Sequence, residues 1–254
     1  MDNNFKSLFH LDKNSPVPMY FQIKQAIIKA IKNGLYQTGD QLPTELEFCQ
    51  ELGISRPTIR QAFQELINEG YITRMKAKGT FVSKPKVDGF FFKKLTSYND
   101  EMKQLGLTPK TNLLLQEVEE ADEVVARHLK INEKDRVLHL ARLRYADDEP
   151  MVYVHTYVPC DKFKGIENEN FNKQETSLYE LMKKKYNMPI AYLDRTIEAI
   201  NATNELSSLL QINENAAVYT ITTVSCNQKD EPIEYSIAKY RGDRNKFTIR
   251  LVQQ

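Results

Sequence analysis

Residues 44 to 70 constrain this chain more than any other stretch, because two helices with their own start and stop signals are joined there by a very short turn. Thr44-x-x-Glu47 is a capping box, Pro43 enforces an extended entry, and Gly53 ends the first helix, in which Leu46, Cys49 and Leu52 are expected to face inward. Ser55 caps the second. Its Ile59, Ala62, Phe63, Leu66 and Ile67 form a buried stripe, Arg56, Arg60, Gln61 and Gln64 stay outside, and Asn68-Glu69-Gly70 closes it. A short helix, a tight turn and a helix with arginines in its exposed first turns is the helix-turn-helix arrangement that enters a major groove. Guanidinium groups suit guanine edges and phosphates alike.

The flanks extend this unit. From Pro18, Tyr20, Ile23, Ile27, Ala30 and Ile31 recur at helical spacing with Lys24, Gln25 and Lys32 outside, and Asn33-Gly34 ends the helix. Tyr71-Ile72-Thr73 and Thr80-Phe81-Val82 read as short strands around the basic stretch Arg74 to Gly79, which makes a wing. A lone helix of this kind would read equally as a packing module with solvated arginines. The full succession favours a winged helix-turn-helix over residues 1–83. Charge agrees with polyanion binding at this end: residues 1–94 hold 14 Lys+Arg against 9 Asp+Glu, and the remainder 21 against 25.

Lys84-Pro85-Lys86-Val87-Asp88-Gly89 is a hinge-type composition, so residues 84–94 are expected to link two domains, with Phe90 to Phe92 docking on the second. Residues 95–254 alternate helices (Asp122 to Leu129, Ser177 to Tyr186, Asn204 to Leu210) with strands near Arg136 to Ala146, Pro150 to Val158, Asp194 to Asn201, Ala217 to Cys226, Pro232 to Arg241 and Phe247 to Val252. The expected fold class is α+β in two domains, the second a mainly antiparallel sheet with helices. An internal repeat is visible: Leu129-Lys130-Ile131-Asn132-Glu133 echoes Leu210-Gln211-Ile212-Asn213-Glu214, and Asp148-Glu149-Pro150 echoes Asp230-Glu231-Pro232. Two related halves sharing one sheet would leave a cleft between them.

Arg142 and Arg144 alternate on a strand and point to one face, where they suit either a shared anion or cross-strand carboxylates. No histidine pair among His10, His128, His139 and His155 has metal-ligand spacing, and neither a nucleophile elbow nor a Walker loop occurs. No metal or cofactor is therefore expected. Three widely spaced cysteines argue against a disulfide framework, and the apolar runs are too short for a membrane span, so a cytoplasmic, non-membrane protein is expected.

Four ordered motifs carry a resemblance: Pro18-Met19-Tyr20-x-Gln22-Ile23, Leu42-Pro43-Thr44-Glu45, Ile54-Ser55-Arg56-Pro57-Thr58-Ile59-Arg60-Gln61-Ala62 and Lys78-Gly79-Thr80-Phe81-Val82 resemble the GntR family of bacterial regulators. The resemblance implies contact with double-stranded operator DNA through Thr44, Glu45, Ser55, Arg56, Pro57, Thr58, Arg60, Gln61 and Gln64. It also implies wing contacts by Arg74, Lys76, Ala77, Lys78 and Gly79, the tip from Ala77 to Gly79 approaching the minor groove. Leu46 stands where relatives often carry an arginine or a polar residue, and Ala77 replaces a frequent glycine.

Leu95-Thr96-Ser97-Tyr98-x-x-Glu101-Met102, Arg142-x-Arg144, Ser177-Leu178-Tyr179-Glu180, Ile197-Glu198-Ala199 and Pro232-Ile233-Glu234-Tyr235-Ser236 through Arg241-Gly242-Asp243-Arg244 resemble the effector-binding (UTRA-type) domain of the HutC subfamily. That domain is similar in fold to chorismate lyase. The resemblance implies a small anionic effector, a sugar phosphate, held by Thr96, Ser97, Tyr98 and Asn99 with Arg142, Arg144 and Ser177, and its polar body by Glu234 and Tyr240. Val154 stands where relatives often have glutamate. The expected function is a homodimeric transcriptional regulator, a repressor, rather than an enzyme. A DNA-tethered enzyme with a chorismate-lyase-like cavity and a ligand-blind architectural DNA binder remain the alternatives.

Overall fold

The computed structural model describes residues 9, 11–89, 95–172 and 177–249. The chain divides into two compact units, residues 1–86 and 87–254.

In the first unit, α1 (Met19–Lys32), α2 (Glu45–Leu52) and α3 (Arg56–Glu69) precede a hairpin of β1 (Ile72–Met75) and β2 (Gly79–Val82). The capping box forms as the sequence dictates: the Thr44 hydroxyl accepts the Glu47 N–H and the Glu47 carboxylate accepts the Thr44 N–H. Gly53 and Gly70 end α2 and α3 in the left-handed region, the conformation glycine adopts without a Cβ clash. Ile23, Ile27, Ile59, Phe63 and Leu66 are fully buried around Phe48, whose ring meets those of Phe9 and Phe63 edge-on.

Two inward-outward assignments are corrected. Leu46 is 56% exposed, and Phe48 fills the core position of α2 in its place, because the stripe runs through residues 48, 49 and 52. Lys24 is buried, with its ammonium 2.8 Å from Glu65 and 2.9 Å from Glu69, so it ties α1 to α3 instead of facing solvent.

The wing turn imposes its own backbone demands. Ala77 sits at φ +60°, a region that costs a non-glycine residue about 1–2 kcal/mol. Ala77→Gly is therefore expected to stabilise the protein by about 1 kcal/mol, measurable as a denaturant midpoint shift at constant slope. Gly79, at φ +118°, disfavours the reverse change because L side chains rarely adopt that backbone; a Cβ there would also displace the Gln41 amide, which donates to the Lys78 carbonyl.

The second unit begins inside the stretch expected to be linker. Val87–Asp88 form β3, which pairs in parallel with β10 (Asn245–Lys246). The expected docking segment Phe90 to Phe92 lies outside the described residues. The remaining described elements are α4 (Tyr98–Gln104), β4 (Pro109–Glu120), α5 (Glu123–Leu129), β5 (Arg136–Ala146), β6 (Glu149–Pro159), a 3-10 turn (Ile166–Asn168), α6 (Leu178–Lys184), β7 (Tyr192–Asn201), α7 (Asn204–Leu210), β8 (Ala217–Cys226) and β9 (Pro232–Arg241). The strand expected over Phe247 to Val252 is not found over residues 247–249, and residues 250–252 are outside the described set.

Six strands form one antiparallel sheet in the order β4-β5-β6-β9-β8-β7. The repeat is legible in this order: β4, α5, β5, β6 make one half, β7, α7, β8, β9 the other, and β6 pairs with β9 at the join. Details repeat as well. Lys130 and Gln211 end α5 and α7 in the left-handed region, and Asp147 and Asp230 occupy it in the β5–β6 and β8–β9 turns. The equivalent cross-strand pairs Arg142–Val154 and Thr223–Ser236 keep one register.

The helices separate by face. Leu143 and Val137 pack with α7 and α5. Leu138 and Leu140 pack with α6, while Val152 and Val154 share a cluster with Met102 of α4. Strand alternation accounts for this division, since residues 137 and 143 share one parity and 138, 140, 142 and 144 the other.

Candidate functional site

The first unit presents a basic, solvent-facing surface. Arg56, Pro57, Arg60, Gln61 and Gln64 are exposed along α3, and Lys76, Ala77 and Lys78 along the wing turn. Among the described residues no carboxylate pairs with Arg56 or Arg60, so both guanidinium groups keep their donors for an incoming partner. Several expected contact residues also have internal partners. Ser55 does not cap α3 with its side chain; its Oγ lies 2.8 Å from Thr58 Oγ1, joining two expected DNA contacts to each other. Gln64 donates to Asn68, and Arg74 is ion-paired with Glu45, which locks the wing strand to the start of α2.

In the second unit, every residue expected to touch an effector lines one cavity of about 100 Å³: Thr96, Ser97, Tyr98, Asn99, Arg142, Arg144, Ser177, Glu234 and Tyr240. By the measure of roughly 10–15 Å³ for one water, it holds several waters and suits a small ligand. The wall crosses the join between the halves, from β5 and β6 to β8 and β9, and is closed by the first residues of α4 and α6. Ser97 and Ser177 are the N-caps of those helices, accepting the N–H of Asp100 at 3.2 Å and of Glu180 at 3.4 Å. Both line the cavity, and both hydroxyls are engaged locally. The Ser97 hydroxyl also donates to Asp100 at 2.6 Å.

The electrostatics of this cavity are unbalanced. Among the described lining residues three are arginines, Arg142, Arg144 and Arg195, and one is a carboxylate, Glu234. Burial, then the neighbouring Arg144 charge, pulls the Arg142 guanidinium down to about 9; Arg144 is also lowered, burial being the main cause. Arg142 donates from Nη2 to Thr156 Oγ1 at 2.8 Å, while its buried Nε has no hydrogen-bond partner among the described residues. The Arg144 guanidinium stands over the Tyr98 ring, 5.2 Å from its centroid. Glu234 is pinned by Ser225 and by the Tyr179 hydroxyl at 3.3 Å. Desolvation raises the phenols of Tyr98, Tyr179 and Tyr240, which keeps all three protonated at neutral pH and able to donate. Such a cavity, with a surplus of guanidinium groups among its described lining and a buried guanidinium donor unmet, has the chemistry to accept an anion.

Arg195, Tyr179, Thr111, Thr156, Thr223 and Ser236 also line the cavity; Tyr179 and Ser236 lie inside the UTRA-type motifs without a role assigned to them, and the other four lie outside those motifs. Arg195 shares a strand face with Leu193 and Ile197, a faint signal on a strand that reads as solvent-exposed. Its neighbour Thr223, 3.4 Å from Nε, comes from the next strand. Val154, opposite Arg142, supplies an apolar wall, so Glu234 is the sole acidic group among the described lining residues.

Residues 19–82 match the family described as bacterial regulatory proteins, gntR family, and residues 104–246 match the UTRA domain. The HTH-type transcriptional repressor NagR of Bacillus subtilis is 33% identical over 94% of this chain and 96% of its own length. The mannosyl-D-glycerate transport/metabolism system repressor MngR of Escherichia coli is 29% identical over 91% and 95%. PhnF from Mycobacterium smegmatis superposes with a TM-score of 0.77 at 26% identity, covering 91% of this chain and all of that one. The matched regions account for both units of the fold, and the DNA-tethered enzyme considered from sequence gives way to a regulator. The chain belongs to the gntR family of bacterial regulatory proteins, in the HutC-like form that joins a winged helix-turn-helix to a UTRA domain.

Proposed function

We propose that this protein is a cytoplasmic transcriptional repressor that binds a twofold operator as a homodimer and loses affinity for it when a sugar phosphate occupies the UTRA cavity. The observation that carries the reading is the paired guanidinium charge on the cavity wall: buried Arg142 and half-buried Arg144 stand side by side, and the one carboxylate among the described lining residues, Glu234, is already pinned. A phosphate dianion offsets that charge, and Glu234 with the neutral phenols of Tyr179 and Tyr240 is left to accept and donate to sugar hydroxyls. Relatives bearing repressor names tied to mannosyl-D-glycerate and fructoselysine support a sugar-derived ligand.

On the DNA side, Arg56 and Arg60 read base edges or phosphates, Lys76 and Lys78 carry the wing onto the backbone, and Thr44, Ser55 and Thr58 orient the helix ends. Dimerisation follows from energetics. One such module buries too little to provide the roughly 4–10 kcal/mol that separates specific from non-specific sites.

The test is thermal denaturation with hexose phosphates, the parent neutral sugars and inorganic phosphate, followed by operator-binding anisotropy with any ligand that stabilises. A matched phosphorylated sugar at 100 times its Kd is expected to add about 2.7 kcal/mol, its neutral parent nothing. A neutral sugar acting as well as its phosphate would exclude the anionic effector. Operator affinity unmoved by every stabilising ligand would exclude effector control.

A further inference from the structure

The face of the sheet turned away from the effector cavity carries a second cluster of polar groups. Glu117 on β4 pairs directly across the ladder with His139 on β5, and Glu119 follows two residues along, on the same face. One donor atom from each of the three lies within 4.8 Å of the other two. His139 is only 7% exposed, its Nε2 is 2.8 Å from His155 Nδ1, and its ring is stacked on Tyr157. The ring orientation is thus fixed from two sides.

Its other nitrogen is the anomaly. Among the described residues His139 Nδ1, which is buried, makes no hydrogen bond, and the carboxylate oxygen Glu119 Oε1 stands 3.4 Å away. That separation lies beyond the usual 2.7–3.2 Å of an N–H···O bond. It does match the edge of a tetrahedron whose ligands sit about 2.0–2.1 Å from a central ion, roughly 3.3–3.4 Å. With the proton shared between the two imidazoles on His139 Nε2, Nδ1 presents a lone pair toward two carboxylates. A divalent cation satisfies all three at once.

We propose that Glu117, Glu119 and His139 form a site for one divalent transition-metal ion of the zinc type, with water as the fourth ligand. The imidazole nitrogen favours zinc over magnesium or calcium, and His155 plays the part of the outer hydrogen-bond partner that sets the orientation of a ligating histidine. Access is open, since Glu117 is exposed, Glu119 is half-buried and β4 is an edge strand. Bound there, the ion fastens the edge strand to β5. No spacing motif announces such a site in the sequence, because its ligands come from two strands and meet only through their register.

The experiment uses the tag-free full-length protein freed of metal with EDTA and titrated with zinc chloride by calorimetry, and with cobalt chloride by visible absorption. One zinc per chain with a Kd in the micromolar range or tighter is expected, together with the intense d–d bands of tetrahedral cobalt. Glu117→Gln with Glu119→Gln, both at accessible positions, is expected to weaken zinc binding by at least about 100-fold while leaving the metal-free Tm unchanged. His139→Gln, keeping a polar group at the buried position, is expected to remove the tetrahedral cobalt spectrum. Absence of zinc binding in the wild type, or undiminished binding in the double variant, overturns the proposal.

Discussion

Replacing Arg142 with methionine is expected to abolish the effector response and, at the same time, to leave the unliganded protein at least as stable as wild type. The two effects share one cause. Arg142 is buried beside a like charge, and its guanidinium is pulled down to about 9 because desolvation and Arg144 outweigh the attraction of Glu234. A group whose folded value lies below its unfolded value of about 12.5 is destabilising wherever it is charged in both states, and that penalty fades as pH rises through the folded value. The methionine variant should therefore gain on wild type below pH about 9, and the gain should shrink above it.

A gain of about 1 kcal/mol would raise Tm by roughly 2–4 °C in a protein of this size, whereas the wild-type shift of about 2.7 kcal/mol with saturating effector should vanish. Scanning calorimetry at pH 7 and pH 10, with and without ligand, reads both. A variant that melts lower and still responds to effector would place the anion elsewhere.

The N-terminal half of this design is legible because its signals are local. Thr44, Glu47, Gly53 and Gly70 act on their own backbone, so their meaning survives without knowledge of the fold. Leu46 and Lys24 mislead for the opposite reason: helical spacing leaves a flanking position ambiguous until its neighbours are known. Phe48 takes the core site, and Glu65 and Glu69, distant in sequence, draw Lys24 inward. In the second unit the repeated Leu-x-Ile-Asn-Glu and Asp-Glu-Pro segments foretell the pairing of two halves.

Strand β4 is hidden in the sequence because its register shifts between Leu113 and Leu115, which breaks the alternation by which a strand is recognised. The cavity is legible where motif and chemistry coincide, at Arg142, Arg144, Ser97 and Glu234. Arg195 belongs to it only through the β7–β8 pairing, and a contact made by sheet register has no local trace in sequence.

Arg60→Ala is expected to cost the most on the DNA side, and the size of the loss reports the symmetry of the complex. Arg60 is exposed on α3 with no acidic partner among the described residues, so its removal leaves the fold untouched and deletes only what it gives to DNA. A bidentate contact to a guanine edge is worth about 1–3 kcal/mol of discrimination. A twofold dimer makes that contact twice, so the expected loss is about 2–6 kcal/mol, roughly 30-fold to more than 10⁴-fold in Kd. The salt dependence separates this from a phosphate role. If Arg60 reads bases, the slope of log K against log salt stays as in wild type and discrimination falls at one base pair in each half-site. Lys78→Ala on the wing should instead lower the slope by about 1 for each phosphate that the lysine neutralises, and weaken all sequences alike. Anisotropy titrations over a salt series, on operator and on scrambled DNA, distinguish the two. A loss for Arg60→Ala below about 3-fold, equal on both DNAs, would take α3 out of base recognition and leave the operator to be read by other means.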